Sequence, residues 1–94
     1  MNHLTIDLAA VVQREVEVYA GPAIQAETYP IVDHQRRTYA VVVVPDLPRP
    51  FKARVVVMAR IVGDSVVIDE DTTDRPLWQA LEAAGIPREK IVRL

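Results

Sequence analysis

The fold is most constrained by residues 54–69, where two runs rich in valine and isoleucine flank the dipeptide Gly63-Asp64. Glycine at the first central position suits a type II′ turn, because glycine takes the required positive φ without steric cost. A two-residue loop sets Val62 opposite Ser65, and opposed residues of an antiparallel pair point to the same face. The stretch therefore predicts a β-hairpin.

The two faces of this predicted hairpin differ in polarity. One face is apolar and should pack on a core: Val55, Val57, Ala59, Ile61, Val66, Ile68. The other face is mixed, and Asp69 on it is diagonal to Arg60, so the two can form an ion pair. Apolar patches rimmed by charge often mark protein–protein contacts. The mixed face gives six residues that we interpret as a partner interface: Arg54, Val56, Met58, Arg60, Val62, Val67. The alternative is that the N-terminal helix covers this face.

Two further strands are predicted before the hairpin. Residues 24–33 alternate in polarity, and Pro30 among them is typical of an edge strand because proline cannot donate to a ladder. Residues 38–44 follow a polar turn and end in four consecutive valines, which predicts a central strand buried on both faces.

Helices are predicted at both ends of the chain. Residues 5–19 carry apolar side chains at helical spacing. A second helix should begin near Asp74, with Thr73 or Asp74 as N-cap, and end at Gly85 in a Schellman cap completed by Ile86. The apolar tail after it, residues 91–94, must pack somewhere.

The order of elements defines the fold class. A helix, four antiparallel strands and a second helix make an α+β two-layer domain. A chain of 94 residues makes one domain, residues 1–94. With only two helices, one face of the sheet can be left uncovered.

Composition excludes several kinds of chemistry. The chain has no cysteine, so disulfides, thiolate catalysis and cysteine-based metal sites are excluded. His3 and His34 lack partners at a recognised spacing, and His34 is expected in a solvated turn. The acidic cluster is better explained by helix capping than by metal binding, and consists of Asp69, Glu70, Asp71 and Asp74. We expect no catalytic residue, no cofactor and no metal.

The charge and hydropathy of the chain bear on its location and partners. A net charge of −2 disfavours autonomous DNA binding. The alternative is a basic strip that contacts DNA, formed by Arg36, Arg37, Arg49, Lys52, Arg54 and Arg60. No apolar run approaches the ~20 residues that cross a bilayer, and no secretory signal is visible. The chain is therefore expected to be cytoplasmic.

The C-terminal third resembles a known family. An acidic, threonine-containing link leads into a helix that ends in Ala84-Gly85-Ile86-Pro87 and continues through residues 88–92 to Ile-Val. This pattern resembles the C-terminal signature of the XisI family, the fdxN-element excision controlling factors. Two shorter segments agree with it: Tyr19 followed by Gly-Pro, and residues 31–39. The chain departs from the family at Val44-Pro45 and in residues 64–68, and resembles a divergent, short member.

The resemblance implies a function that the residues alone do not give. It implies a non-enzymatic accessory protein of programmed DNA excision. Such a protein would bind a nuclease-related, XisH-like partner, and we expect it to be a homo-oligomer. Direct contact with DNA through the central arginines is the alternative.

Overall fold

The structure, a computed structural model, describes residues 7–48 and 52–94. The described residues contain two α-helices, α1 (Leu8–Glu17) and α2 (Leu77–Ala83), and a short 3-10 helix, Arg88–Lys90. Five strands make one sheet: β1 (Ala26–Asp33), β2 (Thr38–Pro45), β3 (Arg54–Val62), β4 (Ser65–Asp71) and β5 (Ile91–Arg93). The chain is an α+β domain, as predicted.

The sheet has one strand more than the sequence predicted. Its order is β1-β2-β3-β4-β5, the first four strands are antiparallel, and β5 runs parallel to β4. The expectation of four antiparallel strands is therefore wrong. Between β4 and β5 the chain crosses over through α2, and a helical crossover returns the next strand in the same direction. The apolar tail thus packs as a fifth strand.

The predicted hairpin is confirmed in its register. Val62 pairs with Ser65, and Arg60 pairs with Val67. Gly63 has a φ of +63° and Asp64 has no positive φ, as a type II′ turn requires. The local turn chemistry therefore fixes how β3 and β4 meet.

Both helices pack on one side of the sheet. Val12 and Val16 of α1 and Leu77 and Leu81 of α2 belong to a single buried cluster. The sheet and the loop after α2 contribute the remaining members of this cluster: Tyr39, Val41, Val57, Ala59, Ile61, Val66, Ile68 and Ile86. The N-terminal helix therefore covers the apolar face, and the alternative that it covers the mixed face is wrong.

Strand β2 lies inside the sheet, but its valine run, residues 41–44, is buried on one face only. Val41 is fully buried, whereas Val44 is 39% exposed. The prediction that this valine run is buried on both faces is wrong, because neither helix covers the second side of the sheet. Strand β1, which contains Pro30, lies at the edge as predicted.

Both helices begin later than predicted. The first was predicted to begin at residue 5 and the second near Asp74, whereas α1 begins at Leu8 and α2 at Leu77. Asp7 caps α1 by accepting a hydrogen bond from the Ala10 N–H at 3.2 Å, while residues 1–6 lie outside the described part. Helix α2 begins at Leu77, and its first-turn N–H donates to Asp71 at 2.7 Å, so neither Thr73 nor Asp74 is the N-cap. The predicted Schellman cap is confirmed by the Ile86 N–H, which donates to the Leu81 carbonyl at 3.1 Å.

Candidate functional site

The side of the sheet opposite the helices forms an apolar surface, which we call the open face. Opposed residues share a face, so the paired rows of the sheet identify its members. One row joins Ile31, Ala40 and Met58, and its neighbour joins Tyr29 to Val42. The complete apolar set spans all five strands: Tyr29, Ile31, Ala40, Val42, Val44, Val55, Met58, Val62, Val67 and Val92.

The exposed fractions of its apolar side chains distinguish the open face. The described residues include nine markedly exposed large apolar side chains, of which five lie on this face. They are Tyr29 (45%), Ile31 (48%), Val44 (39%), Val62 (53%) and Val92 (40%). Single exposed apolar residues need no explanation, but a contiguous set on one surface is typical of an interaction site.

One ion pair lies within the open face. Arg60 donates from Nε to Oδ2 of Asp69 at 2.6 Å and from Nη2 to Oδ1 at 2.9 Å. The diagonal pair predicted from the sequence is therefore present, in a bidentate geometry. The pairing register shifts between Met58 and Ala59, so Asp69 is an extra residue that bulges β4 toward Arg60.

A second bulge divides the predicted partner interface. The register of β2 and β3 shifts, because Val41 pairs with Val57 but Val42 pairs with Val55. Val56 is the extra residue. In residues 54–56 the alternation of β3 is therefore opposite to the one that a regular strand would have.

The reversal moves three side chains to the side opposite the predicted one. Val56 packs against the core cluster, and Arg54 lies on the helix side with it. Their assignment to the mixed face is therefore wrong. Val55, which was assigned to the core face, lies on the open face, where Met58, Arg60, Val62 and Val67 remain together.

Arg54 and Val56 line a groove on the helix side, which we call the Arg54 groove. Its volume is about 530 Å³, and it lies between the end of α1, the bulged part of β3 and residues 72–75. The Tyr19 hydroxyl donates to the Arg75 carbonyl, and the Arg75 guanidinium lies 5.9 Å from the Tyr19 ring centroid. Burial raises the pKa of Tyr19, which stays a neutral hydrogen-bond donor at physiological pH.

The central basic residues do not form a single strip. Arg36 is paired with Asp33 at 3.0 Å, and Arg60 is paired with Asp69. Arg37 donates to the Gly63 carbonyl at 3.4 Å. Lys52 is exposed, whereas Arg49 lies outside the described residues. Arg54 and Arg60 point to opposite sides of the sheet. A DNA duplex that lies against one side of the sheet therefore could not contact both.

Two members of the acidic cluster, Asp71 and Asp69, have structural partners among the described residues. Besides the Leu77 N–H, Asp71 accepts the Thr73 N–H at 2.9 Å and the Thr73 hydroxyl at 2.6 Å. Asp69 is in the ion pair with Arg60. Among the residues of known placement, no three histidine, cysteine or acidic side chains form a group that could hold a metal ion. In the same part of the chain, no helix is long and apolar enough to span a membrane.

Fold and surfaces together define a class, namely a small two-layer α+β domain in which one apolar face of the sheet is covered by no helix of residues 7–48 and 52–94. The chain is similar to the crystal structure of an XisI-like protein from Anabaena variabilis ATCC 29413, solved at 1.30 Å. The TM-score is 0.80 at 25% identity, over 89% of this chain and 80% of that protein.

A second crystal structure, the fdxN element excision controlling factor XisI from the same organism, was solved at 2.19 Å. It has a TM-score of 0.66 at 18% identity, over 88% of this chain and 80% of that protein, and this likeness shows the fold alone. No protein-family model matches the chain, and no curated protein matches its sequence. The structural neighbours of the chain are XisI-like proteins, so the resemblance seen in the sequence is confirmed.

Proposed function

We propose that this chain is a regulatory protein of a DNA-excision system, which acts by binding a nuclease-related, XisH-like protein and not by catalysis. The observation that carries the proposal is its likeness to an XisI-like protein over 89% of the chain, at a TM-score of 0.80. The neighbour with a TM-score of 0.66 is named as an excision controlling factor. Control of excision through protein contact is consistent with that name.

The Arg54 groove is the surface that we assign to this partner. Its lining combines apolar side chains such as Val43 and Val56 with the charged residues Arg54, Asp74 and Arg75. Among the described residues, Arg54 takes part in none of the five ion pairs, although Asp74 lines the same groove. An exposed arginine beside apolar contacts is a typical anchor at protein interfaces. The partner surface should therefore present a carboxylate to Arg54.

Co-expression with an XisH-like nuclease-related protein tests this proposal. The two chains should co-elute, and Arg54→Glu should weaken the complex roughly tenfold or more, because it sets like charges against each other. Arg36→Glu is the control, since Arg36 is exposed and lies in the turn before β2, whereas Arg54 pairs with Val43 near the end of that strand. Binding that is insensitive to Arg54→Glu would remove the groove from the proposal. The absence of any complex would remove the partner.

Direct DNA binding by the central arginines is the alternative function, and a salt titration separates it from the proposal. A protein that neutralises several phosphates loses affinity steeply as salt rises. We expect no saturable binding of duplex DNA at low salt. A steep negative slope that Arg54→Glu makes shallower would favour the DNA-binding alternative.

A further inference from the structure

We propose that the open face is closed by a second copy of this chain, so that two sheets pack face to face in a symmetric dimer. The inference goes beyond the proposed function and does not depend on it, because the Arg54 groove lies on the opposite side of the sheet. It rests on the shape, the charge and the area of the open face.

The shape of the open face suits packing against an identical sheet. Strand β3 is the third of five strands, and Met58 is the middle residue of β3. Two sheets that pack with aligned strands around a two-fold axis therefore place β3 over β3, with Met58 at the centre. Aligned packing at about 30° is one of the two stable arrangements of stacked sheets. The open face contains a methionine, Met58, and an aromatic residue, Tyr29, and both residue types are enriched in protein interfaces.

The charges of the open face are compatible with burial. Arg60 and Asp69 satisfy each other bidentately, so covering them leaves neither charge without a partner. The other carboxylates of the open face lie along its edges. Glu70 pairs with Met58 but lies beyond the end of β5, so β4 is the outermost strand at that point and a facing sheet leaves Glu70 at the solvated rim. Glu27 and Asp33 lie on the edge strand β1, and Asp33 is paired with Arg36. A nucleic acid is a poor occupant for the same reason, since the arginine of this face is already neutralised.

The area of the open face meets what a dimer needs. Strands lie about 4.8 Å apart and rise about 3.3 Å per residue, which gives roughly 600 Å² for four long strands and one short strand. Two copies would then bury about 1,200 Å², at the lower end of stable interfaces.

Association through the edges of the sheet is disfavoured. Pro30 lies in the edge strand β1 and cannot donate a hydrogen bond to an added strand. At the other edge, β5 has three residues. Short or proline-containing edges are how proteins prevent strand addition, which leaves the open face as the surface for self-association.

The mass of the purified chain in solution, without any partner protein, tests the dimer. At about 100 μM, above the micromolar Kd common for interfaces of this size, we expect twice the 10.5 kDa mass of one chain. Met58→Asp should raise the Kd by roughly 100-fold to 1,000-fold, because each copy would bury one unpaired carboxylate. Ile24→Asp is the matched control, since Ile24 is 94% exposed and lies outside the open face.

One further charge variant and one cross-linking experiment keep the test decisive if Met58→Asp does not fold. Val62→Lys places a charge at a site that is already 53% exposed and should also give a monomer. In addition, the chain has no cysteine, so Met58→Cys can be cross-linked to its own copy by a short bis-maleimide, whereas Ile24→Cys should not.

Two results would overturn the inference. The first is a monomeric mass for the unmodified chain at about 100 μM; if the complex of that monomer with an XisH-like protein is lost in Met58→Asp, the open face belongs to that partner instead. The second is a dimer that persists in folded Met58→Asp and Val62→Lys variants. Loss of partner binding in Arg54→Glu alone, with the dimer intact, concerns only the proposed function.

Discussion

Removing the carboxylate of Asp71 should destabilise the domain more than removing any other side chain of the acidic cluster. Asp71 accepts three hydrogen bonds, from the Leu77 N–H, the Thr73 N–H and the Thr73 hydroxyl. It thereby takes the place of an N-cap for α2 although it lies six residues before the helix. Asp71→Ala leaves the Leu77 N–H without this acceptor, and the Leu77 side chain is fully buried.

The cost can be estimated from these contacts. Leaving a buried backbone donor unsatisfied costs about 1–3 kcal/mol. The two bonds to Thr73 can be partly replaced by water, because Thr73 is only half-buried. We therefore expect Asp71→Ala to lower the free energy of unfolding by about 2–3 kcal/mol, which is at or above the upper end of about 2 kcal/mol for N-cap effects, because the Thr73 contacts are lost as well. For a domain of this size the melting temperature should fall by about 10–20 °C.

Urea unfolding followed by the fluorescence of Trp78 measures this cost, since Trp78 lies on α2 and is the single tryptophan of the chain. Asp74→Ala is the control, because Asp74 is exposed and no hydrogen bond to its side chain is present among the described residues. It should change the free energy of unfolding by less than about 0.5 kcal/mol. If Asp74→Ala cost more than Asp71→Ala, the capping role derived for Asp71 would be refuted.

Two further predictions concern exposed carboxylates and a turn. The backbone N–H of Arg36 and then its guanidinium lower the pKa of Asp33, whereas the Lys90 ammonium lowers the pKa of Asp64. In an NMR titration, Arg36→Ala should therefore leave much of the lowering at Asp33, but Lys90→Met should remove most of it at Asp64. Gly63→Ala should cost about 1–2 kcal/mol, because φ there is +63° and the added Cβ meets no atom within 4 Å.

The sign of the pH dependence and the turn control follow from the same facts. A lowered folded-state pKa stabilises the folded state above the ordinary carboxyl value of 3.8, and this stabilisation is lost as the pH falls through the lowered pKa. A rise of the Asp33 pKa to 3.8 in Arg36→Ala would contradict the dominant role of the backbone N–H. For the turn, Gly21→Ala should be neutral, because Gly21 has no positive φ and no neighbour within 4 Å.

The parts of the fold that could be predicted depend on local signals. The β3–β4 hairpin has a glycine that tolerates positive φ, and apolar and polar residues alternate regularly beside it. The pairing of residues 59–62 with residues 65–68 could therefore be predicted from the sequence. The end of α2 is equally local, because Gly85 and Ile86 complete the Schellman cap within two residues. Strand β5 has no such signal, since three residues are too few for a period and their pairing with β4 depends on the crossover.

The bulges explain why only four of the six predicted interface residues lie on the same face of the sheet. Three consecutive valines, residues 55–57, contain no polar side chain that would mark a change of phase in the alternation. The extra residue at Val56 is visible only from the pairing with β2. The same holds for Asp69, because Asp69, Glu70 and Asp71 are all acidic and any of them could have faced Arg60.

The division of the predicted interface also makes the two proposed contacts separable. A uniform alternation along β3 would place Arg54 and Met58 on one face, where a single partner could touch both. The bulge at Val56 sends Arg54 to the helix side, so two different surfaces are available at the same time. We therefore expect Arg54→Glu to weaken the complex with the XisH-like protein without changing the mass of the dimer. Met58→Asp should dissociate the dimer and leave the affinity of each chain for that partner within about threefold, as for mutations that share no contacts. Strong coupling between the two variants would mean that one surface serves both contacts, and the functional consequence drawn from the bulge would then be wrong.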